Sequence, residues 1–195
     1  MKNIGFALLS VLAFCVYSDT ISAQQITKVP VKKIASLKLI TSENRAYSLS
    51  LAKPSVLIFL SPECPLCKNY APVLNSLQQK YPQVSFFGIF PGKAYSVDEI
   101  AGFKKGYDIR FVLLNDPSKL LTGYVGATTT PQAILVNSSG QILYNGMINN
   151  WAVSLGKTRR VVTEHYLDDA LSQSLNNKKI LVTTTRPVGC RINDI

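Results

Sequence analysis

An α/β three-layer sandwich with a mixed sheet is the architecture this sequence predicts, and three observations carry it. The run Ser55-Val56-Leu57-Ile58-Phe59-Leu60 is apolar after its first residue and is bounded by Pro54 and Pro62, as a strand buried on both faces would be. Strand-like and helix-like segments then alternate as far as Val125, the pattern of parallel strands joined by crossover helices. Asn137-Ser138-Ser139-Gly140 sits between two further apolar runs, which signals a hairpin and so an antiparallel addition to the sheet.

The chain opens with Lys2, a largely apolar run from Ile4 to Tyr17, and small and polar residues ending in Ile21-Ser22-Ala23. That is the layout of a secretory signal peptide. The apolar run is shorter than the ~20 residues a membrane-spanning helix needs, so no stable membrane span is expected. Residues 1–23 are read as a leader cleaved near Ala23, and residues 24–195 as one domain with an extended C-terminal tail. A lipid anchor on Cys15 is disfavoured, because Phe14 precedes it and the better cut lies downstream.

Alternating and β-branched residues at 34–40 and 46–51 flank Ser42-Glu43-Asn44 and predict a hairpin or two short edge strands. After the central strand, Leu66, Tyr70, Val73, Leu74 and Leu77 recur at helical spacing and stop before Pro82. Next come a strand over 84–90, a helix over 97–107, a strand over 110–114 and a short helix over 118–125. The hairpin strands are expected at 132–136 and 141–144, and a final helix at 161–175. The stretch 148–163, which holds Trp151, is less regular and reads as a loop over one edge; 180–195 reads as extended.

Lysine and arginine outnumber the acids 21 to 11, and removing the leader takes away one base, Lys2, and one acid, Asp19, so the net charge stays at +10. The bases are scattered, with Lys157, Arg159 and Arg160 the only tight group. A solvated basic surface fits this better than a nucleic-acid groove, which would interleave bases with aromatic residues.

Four cysteines are present, and Cys15 leaves with the leader. Cys64, Cys67 and Cys190 then remain in an oxidising compartment, an odd number that favours a pair that cycles over a purely structural framework. Cys64-Pro65-Leu66-Cys67 lies at a strand-to-helix turn. There the sulfur of Cys64 faces unpaired helical N–H groups that favour thiolate over thiol, while Cys67, one turn in, is the more buried. Pro65 suits the first helical position. Glu63, a carboxylate beside the nucleophile, would raise its pKa if the two side chains approach. Zinc would want four ligands, and beyond the pair only Cys190 and His165 are available, so no metal is assigned.

The order strand, Cys-x-x-Cys, helix, then Thr130-Pro131 before a hairpin resembles the thioredoxin superfamily. Ser61-Pro62-Glu63-Cys64-Pro65-Leu66-Cys67-Lys68-Asn69-Tyr70-Ala71-Pro72 is similar to exported bacterial redoxins of the peroxiredoxin-like and cytochrome-maturation-like branches. Residues 163–171 and 186–192 look like the closing section of that branch. The resemblance implies a thioredoxin-like sandwich with helices on both faces, a periplasmic or secreted location, and no cofactor. It also implies a cis Thr130-Pro131 bond beside the cysteines, leaving the Thr130 backbone free to pair with an incoming peptide. Two departures stand out: Ile58 occupies the position of thioredoxin's buried acid, and Glu63 that of its usual tryptophan.

Thiol-disulfide exchange on exported proteins is the function expected, with Cys64 attacking, Cys67 resolving and an external thiol partner resetting the pair. The alternative is a peroxiredoxin-like peroxidase, in which Cys64 becomes a sulfenic acid that Cys67 or Cys190 resolves. Ser61 would supply its hydroxyl, but Leu57 stands where that motif has proline and no arginine lies near the expected downstream position. A third reading is copper binding by the two thiolates with His165. Cys190 is a candidate additional thiol, open between a second resolving cysteine, a thiol for another protein and a packed small hydrophobe.

Overall fold

The computed structural model describes residues 27–192. The leader, Cys15 and the last three residues of the tail lie outside them. Among the described residues no helix is long and apolar enough to cross a membrane.

The centre of the sheet is β3 (Ser55–Phe59), buried at all five positions. Its side chains alternate between two cores: Val56 and Ile58 point into one, Leu57 and Phe59 into the other. The chain then crosses over through α2 (Pro65–Lys80) to β4 (Ser85–Pro91), which pairs in parallel with β3. A second crossover, α3 (Val97–Gly106), leads to β5 (Val112–Asp116), parallel to β4. Ser96 caps α3: its hydroxyl accepts from the Glu99 N–H, and the Glu99 carboxylate accepts from the Ser96 N–H.

Ahead of β3 the expected pair of strands is present as an antiparallel hairpin, each strand shorter than its pattern suggested. Residues 31–35 form α1 (Val31–Ala35), and the strands are β1 (Leu39–Thr41) and β2 (Ala46–Tyr47). Val31 and Ile34 lie three apart and both pack into the core that holds Leu57 and Phe59, a helical repeat that takes Ile34 out of the expected 34–40 strand. A short helix, α4 (Leu120–Val125), is followed by β6 (Thr129–Thr130), then β7 (Gln132–Val136) and β8 (Ile142–Gly146). β7 runs antiparallel to β3 and β8 antiparallel to β7, giving the order β2-β1-β5-β4-β3-β7-β8.

One core gathers α2, α3 and the final helix α5 (Tyr166–Leu175) against the sheet; the other holds α1 and α4. This is the predicted mixed sheet with helices on both faces. α5 starts five residues later than its apolar pattern suggested, because 161–165 is held elsewhere: Asn150 N–H donates to Glu164 O, and the Asn150 amide to the Thr163 hydroxyl. The expected loop 148–163 contains a small hairpin, β9 (Ala152–Ser154) with β10 (Lys157–Thr158). It is fastened to α2 where Tyr70 donates to Asn149 Oδ1 at 2.9 Å and packs edge-on against Trp151.

The C-terminal segment is extended, as expected, but it is also paired. Thr185 N–H donates to Asn145 O, its hydroxyl meets that of the buried Tyr144, and β11 (Cys190–Arg191) forms an antiparallel ladder with β6.

Asp116, fully buried at the end of β5, closes the turn into α4 by accepting from the Thr122 N–H at 2.9 Å and the Thr122 hydroxyl at 2.8 Å. Asp116→Ala strands both donors, and we expect a loss of about 2–3 kcal/mol in urea denaturation; a loss under about 0.5 kcal/mol contradicts that role.

Candidate functional site

β3 delivers the chain to the motif, and the turn that follows is fixed locally. Cys64 N–H donates to Ser61 O, and the Ser61 hydroxyl accepts from the Glu63 N–H. Cys64 is the N-cap of α2, with extended backbone and Pro65 at the first helical position. Its sulfur therefore sits at the helix end where N–H groups lack intrahelical partners. Cys67 lies in the first turn and is fully buried.

The three described cysteines are free thiols and converge on one point. Cys190 Sγ is 3.2 Å from Cys64 Sγ, and Cys64 Sγ is 3.3 Å from the carbonyl oxygen of Thr130. The thiol of Cys67, that of Cys190 and the N–H groups of Cys67 and Leu66 stabilise the charged form of Cys64. Against the opposing effect of burial, they bring its pKa down to about 5. Glu63, exposed beside it, does not produce the upward shift its position suggested.

Burial, then the neighbouring Cys64, pushes Cys67 well above the ordinary thiol range. The same two causes, in the same order, raise Cys190 to about 11. At neutral pH the cluster is one thiolate flanked by two protonated thiols, a charge distribution in which Cys64 is the sulfur able to act as a nucleophile.

Access to the site is narrower than the resemblance implied. Cys64 is not open to solvent: it is 1% exposed and covered from the side of β11. The Thr130 backbone is not free either, since Thr130 pairs with Cys190, its hydroxyl donates to Cys190 O, and Ile192 N–H donates to Thr128 O. The strand that was to be lent to a peptide is occupied by the chain's own C-terminal segment. The Thr130–Pro131 bond is cis.

Beside Cys64 opens a pocket of about 580 Å³ lined by Ser61, Lys93, Tyr95, Lys119, Cys190 and Arg191 among others. The Ser61 hydroxyl is engaged with the Tyr95 hydroxyl at 2.8 Å. Tyr95 and Arg191 went unnoticed in the sequence, because they reach the pocket from loop 91–96 and from β11 and share no local pattern with the motif. An arginine is thus present at the pocket, though it comes from the C-terminus. Ile58, where an acid stands in thioredoxin, is fully buried in the apolar cluster that also holds Cys67. His165 is exposed at the start of α5 and lines a different pocket with Val73, Lys80 and Asp168. The third ligand of the copper reading is therefore not brought to the thiols. Among the described residues no group of three or more His, Cys, Asp or Glu side chains is arranged to hold a metal ion.

A family model described as the AhpC/TSA family matches residues 30–145. The soluble secreted antigen MPT53 of Mycobacterium tuberculosis is 30% identical over 88 residues, 45% of this chain and 50% of the relative. The chain thus spans about half the length of the curated relatives it matches. A hypothetical protein from Sinorhizobium meliloti superposes with TM-score 0.74 at 20% identity, covering 89% of this chain and 97% of that one. A secreted Mycobacterium tuberculosis disulfide oxidoreductase homologous to E. coli DsbE superposes with TM-score 0.50 at 25% identity, covering 56% of this chain and 82% of that one.

Proposed function

Because the chain belongs to the AhpC/TSA family, and so to the thioredoxin-fold redoxins, we propose that it is a thiol-disulfide oxidoreductase working through Cys64 and Cys67 on exported proteins. The observation that carries this reading is the division of labour inside one helical turn: Cys64 is held as a thiolate at the N-cap of α2, while Cys67 is buried and protonated.

Cys64 Sγ attacks one sulfur of a substrate disulfide, forming a mixed disulfide and expelling the other sulfur as a thiolate. Cys67 then gives up its proton and attacks Cys64 Sγ. The substrate leaves with both sulfurs reduced, and a Cys64–Cys67 disulfide remains. An external dithiol returns the pair to the reduced state, or the cycle runs in reverse as an oxidase. Thr130, next to Cys64 and carrying the cis bond to Pro131, is the edge on which an extended substrate would pair. The basic, apolar and small-residue order of residues 1–23 supports a site of action in the periplasm or outside a bacterial cell. The secreted status of MPT53 is in keeping with that.

A second reading has an observation of its own. Ser61, Tyr95 and Arg191 place hydroxyls and a cation in the pocket that Cys64 lines, a setting in which a peroxide could oxidise Cys64 to a sulfenic acid. The two are separated by measuring reduction of a protein disulfide and consumption of hydrogen peroxide by the reduced enzyme in parallel. Exchange is expected to be faster by about tenfold or more, since two thiols at Cys-x-x-Cys spacing serve it directly. In Cys67→Ser the mixed disulfide with the protein substrate should accumulate through Cys64. Peroxide consumption that outpaces exchange, with no trapped complex, overturns the reading.

A further inference from the structure

β11 lies where an extended substrate would lie. It is antiparallel to β6, with Cys190 opposite Thr130 and Arg191 opposite Thr129, and it sets Cys190 Sγ 3.2 Å from Cys64 Sγ. Reacting atoms in a near-attack arrangement stand ~3–3.5 Å apart, so Cys190 Sγ stands where a thiol attacking an oxidised Cys64 Sγ would stand. The approach is built in by sequence. A Cβ at Gly189 would fall 2.1 Å from the Thr130 carbonyl oxygen, a backbone atom that cannot swing aside. Anchors hold the segment from both sides: Thr185 on β8 upstream and Ile192 N–H on Thr128 O downstream. The small Gly146 makes room upstream, where a Cβ would sit 2.1 Å from the Thr185 hydroxyl oxygen.

We propose that this C-terminal strand is a tethered stand-in for a peptide substrate, and that Cys190 is a third redox-active thiol which forms a reversible disulfide with Cys64. The proposal rests on the exchange reading above and adds to it what the site accepts and what must move. In the oxidised protein, Cys190 loses its proton and attacks Cys64 Sγ. The Cys64–Cys67 bond breaks, and Cys67 leaves with the electron pair and takes up a proton. One disulfide is exchanged for another within the chain, with no net oxidation. Peptide partners must displace β11 to reach Cys64, while small molecules enter through the adjoining pocket. A partner strand that replaces β11 meets the same Thr130 carbonyl, so the residue before its cysteine must be glycine or leave comparable room.

The test uses the full chain in three forms: Cys67→Ser, Cys67→Ser/Gly189→Val and Cys67→Ser/Cys190→Ser. Each is reduced, exposed to hydroxyethyl disulfide, quenched in acid, alkylated and mapped without reduction by mass spectrometry. The first oxidation puts hydroxyethanethiol on Cys64; Cys190 then attacks Cys64 Sγ and releases it as the free thiol. Cys67→Ser should yield a Cys64–Cys190 link within the monomer. Gly189→Val, which keeps the thiol but pushes the strand away, should lower that yield by about tenfold, in proportion to the lost docked population. Cys67→Ser/Cys190→Ser should retain the hydroxyethanethiol adduct.

A second measurement covers the case in which Gly189→Val disturbs folding. With all three cysteines present, the oxidised protein, mapped in the same way, should show a Cys64–Cys190 link beside the Cys64–Cys67 link, and Cys190→Ala only the latter. A stable adduct on Cys64 of Cys67→Ser, with Cys190 fully alkylated, overturns the proposal; so does an oxidised wild-type protein in which Cys190 is fully alkylated. Failure of the exchange reading shows separately, as reductase activity that survives loss of Cys64.

Discussion

Cys64→Ser should lower protein-disulfide reduction by at least about a thousandfold, since a serine hydroxyl is not ionised at neutral pH and no other described group can attack in its place. Cys67 is protonated and buried, and Cys190 is held at a pKa of about 11, so neither substitutes for the lost thiolate. Peroxide consumption should fall with it, because both readings pass through the same sulfur. Retention of either activity at more than about a tenth of wild type would remove Cys64 from the centre of the chemistry.

The same residue sets a pH dependence with a definite sign. With its pKa near 5, Cys64 is already thiolate at neutral pH. Its alkylation by iodoacetamide in the reduced protein should be level from about pH 6 to 8 and drop about tenfold per unit below 5. An ordinary thiol would instead keep gaining rate up to about pH 8.5. The stability linked to this ionisation follows. The folded pKa lies below the ordinary value of 9.0, so the stabilisation is complete above that value and is lost as pH falls through about 5. Cys67 and Cys190 act in the opposite sense. Their raised values favour the folded state while they stay protonated and cost stability once the unfolded chain ionises, above about pH 8.5. Urea midpoints of the reduced protein should therefore rise from about pH 5 to a maximum near the ordinary thiol pKa of about 8.5 to 9 and decline above it.

Phe59→Ala is the largest stability change we expect. Phe59 is fully buried in β3 between β4 and β7, in the core shared with α1 and α4. Deleting a buried phenyl ring from such a position costs about 3–5 kcal/mol, transfer and cavity together, read as a fall in the urea midpoint at unchanged slope. A loss below about 1 kcal/mol would mean that the second core is not packed as described. Phe59 sits on the opposite face from Cys67, so the cysteine pair should keep its reactivity in whatever fraction remains folded.

Much of this protein was readable from local pattern. The buried run at 55–60, the helical repeat from Leu66 to Leu77 and the Asn137–Gly140 turn each specify an element through contacts among neighbours in sequence. The Cys64-Pro65-Leu66-Cys67 spacing similarly fixes both thiols on the first turn of α2. Where two local signals competed, tertiary packing chose. At 34–35 the packing of Ile34 beside Val31 drew the first two residues of the expected 34–40 strand into a helix. At 161–165 bonds to Asn150 held the chain out of α5.

The motif on which the proposed chemistry turns was therefore determined by sequence alone: a thiolate at a helix N-cap with a buried partner one turn in. Only the folded chain decided what faces it. Cys190 meets Cys64 across 126 residues of sequence, Tyr95 meets Ser61 across 34, and Gly189 meets the carbonyl of Thr130. Contacts of that range carry no periodicity in the sequence; they exist because the sheet places the end of β3, the turn before β7 and the C-terminal strand at one point.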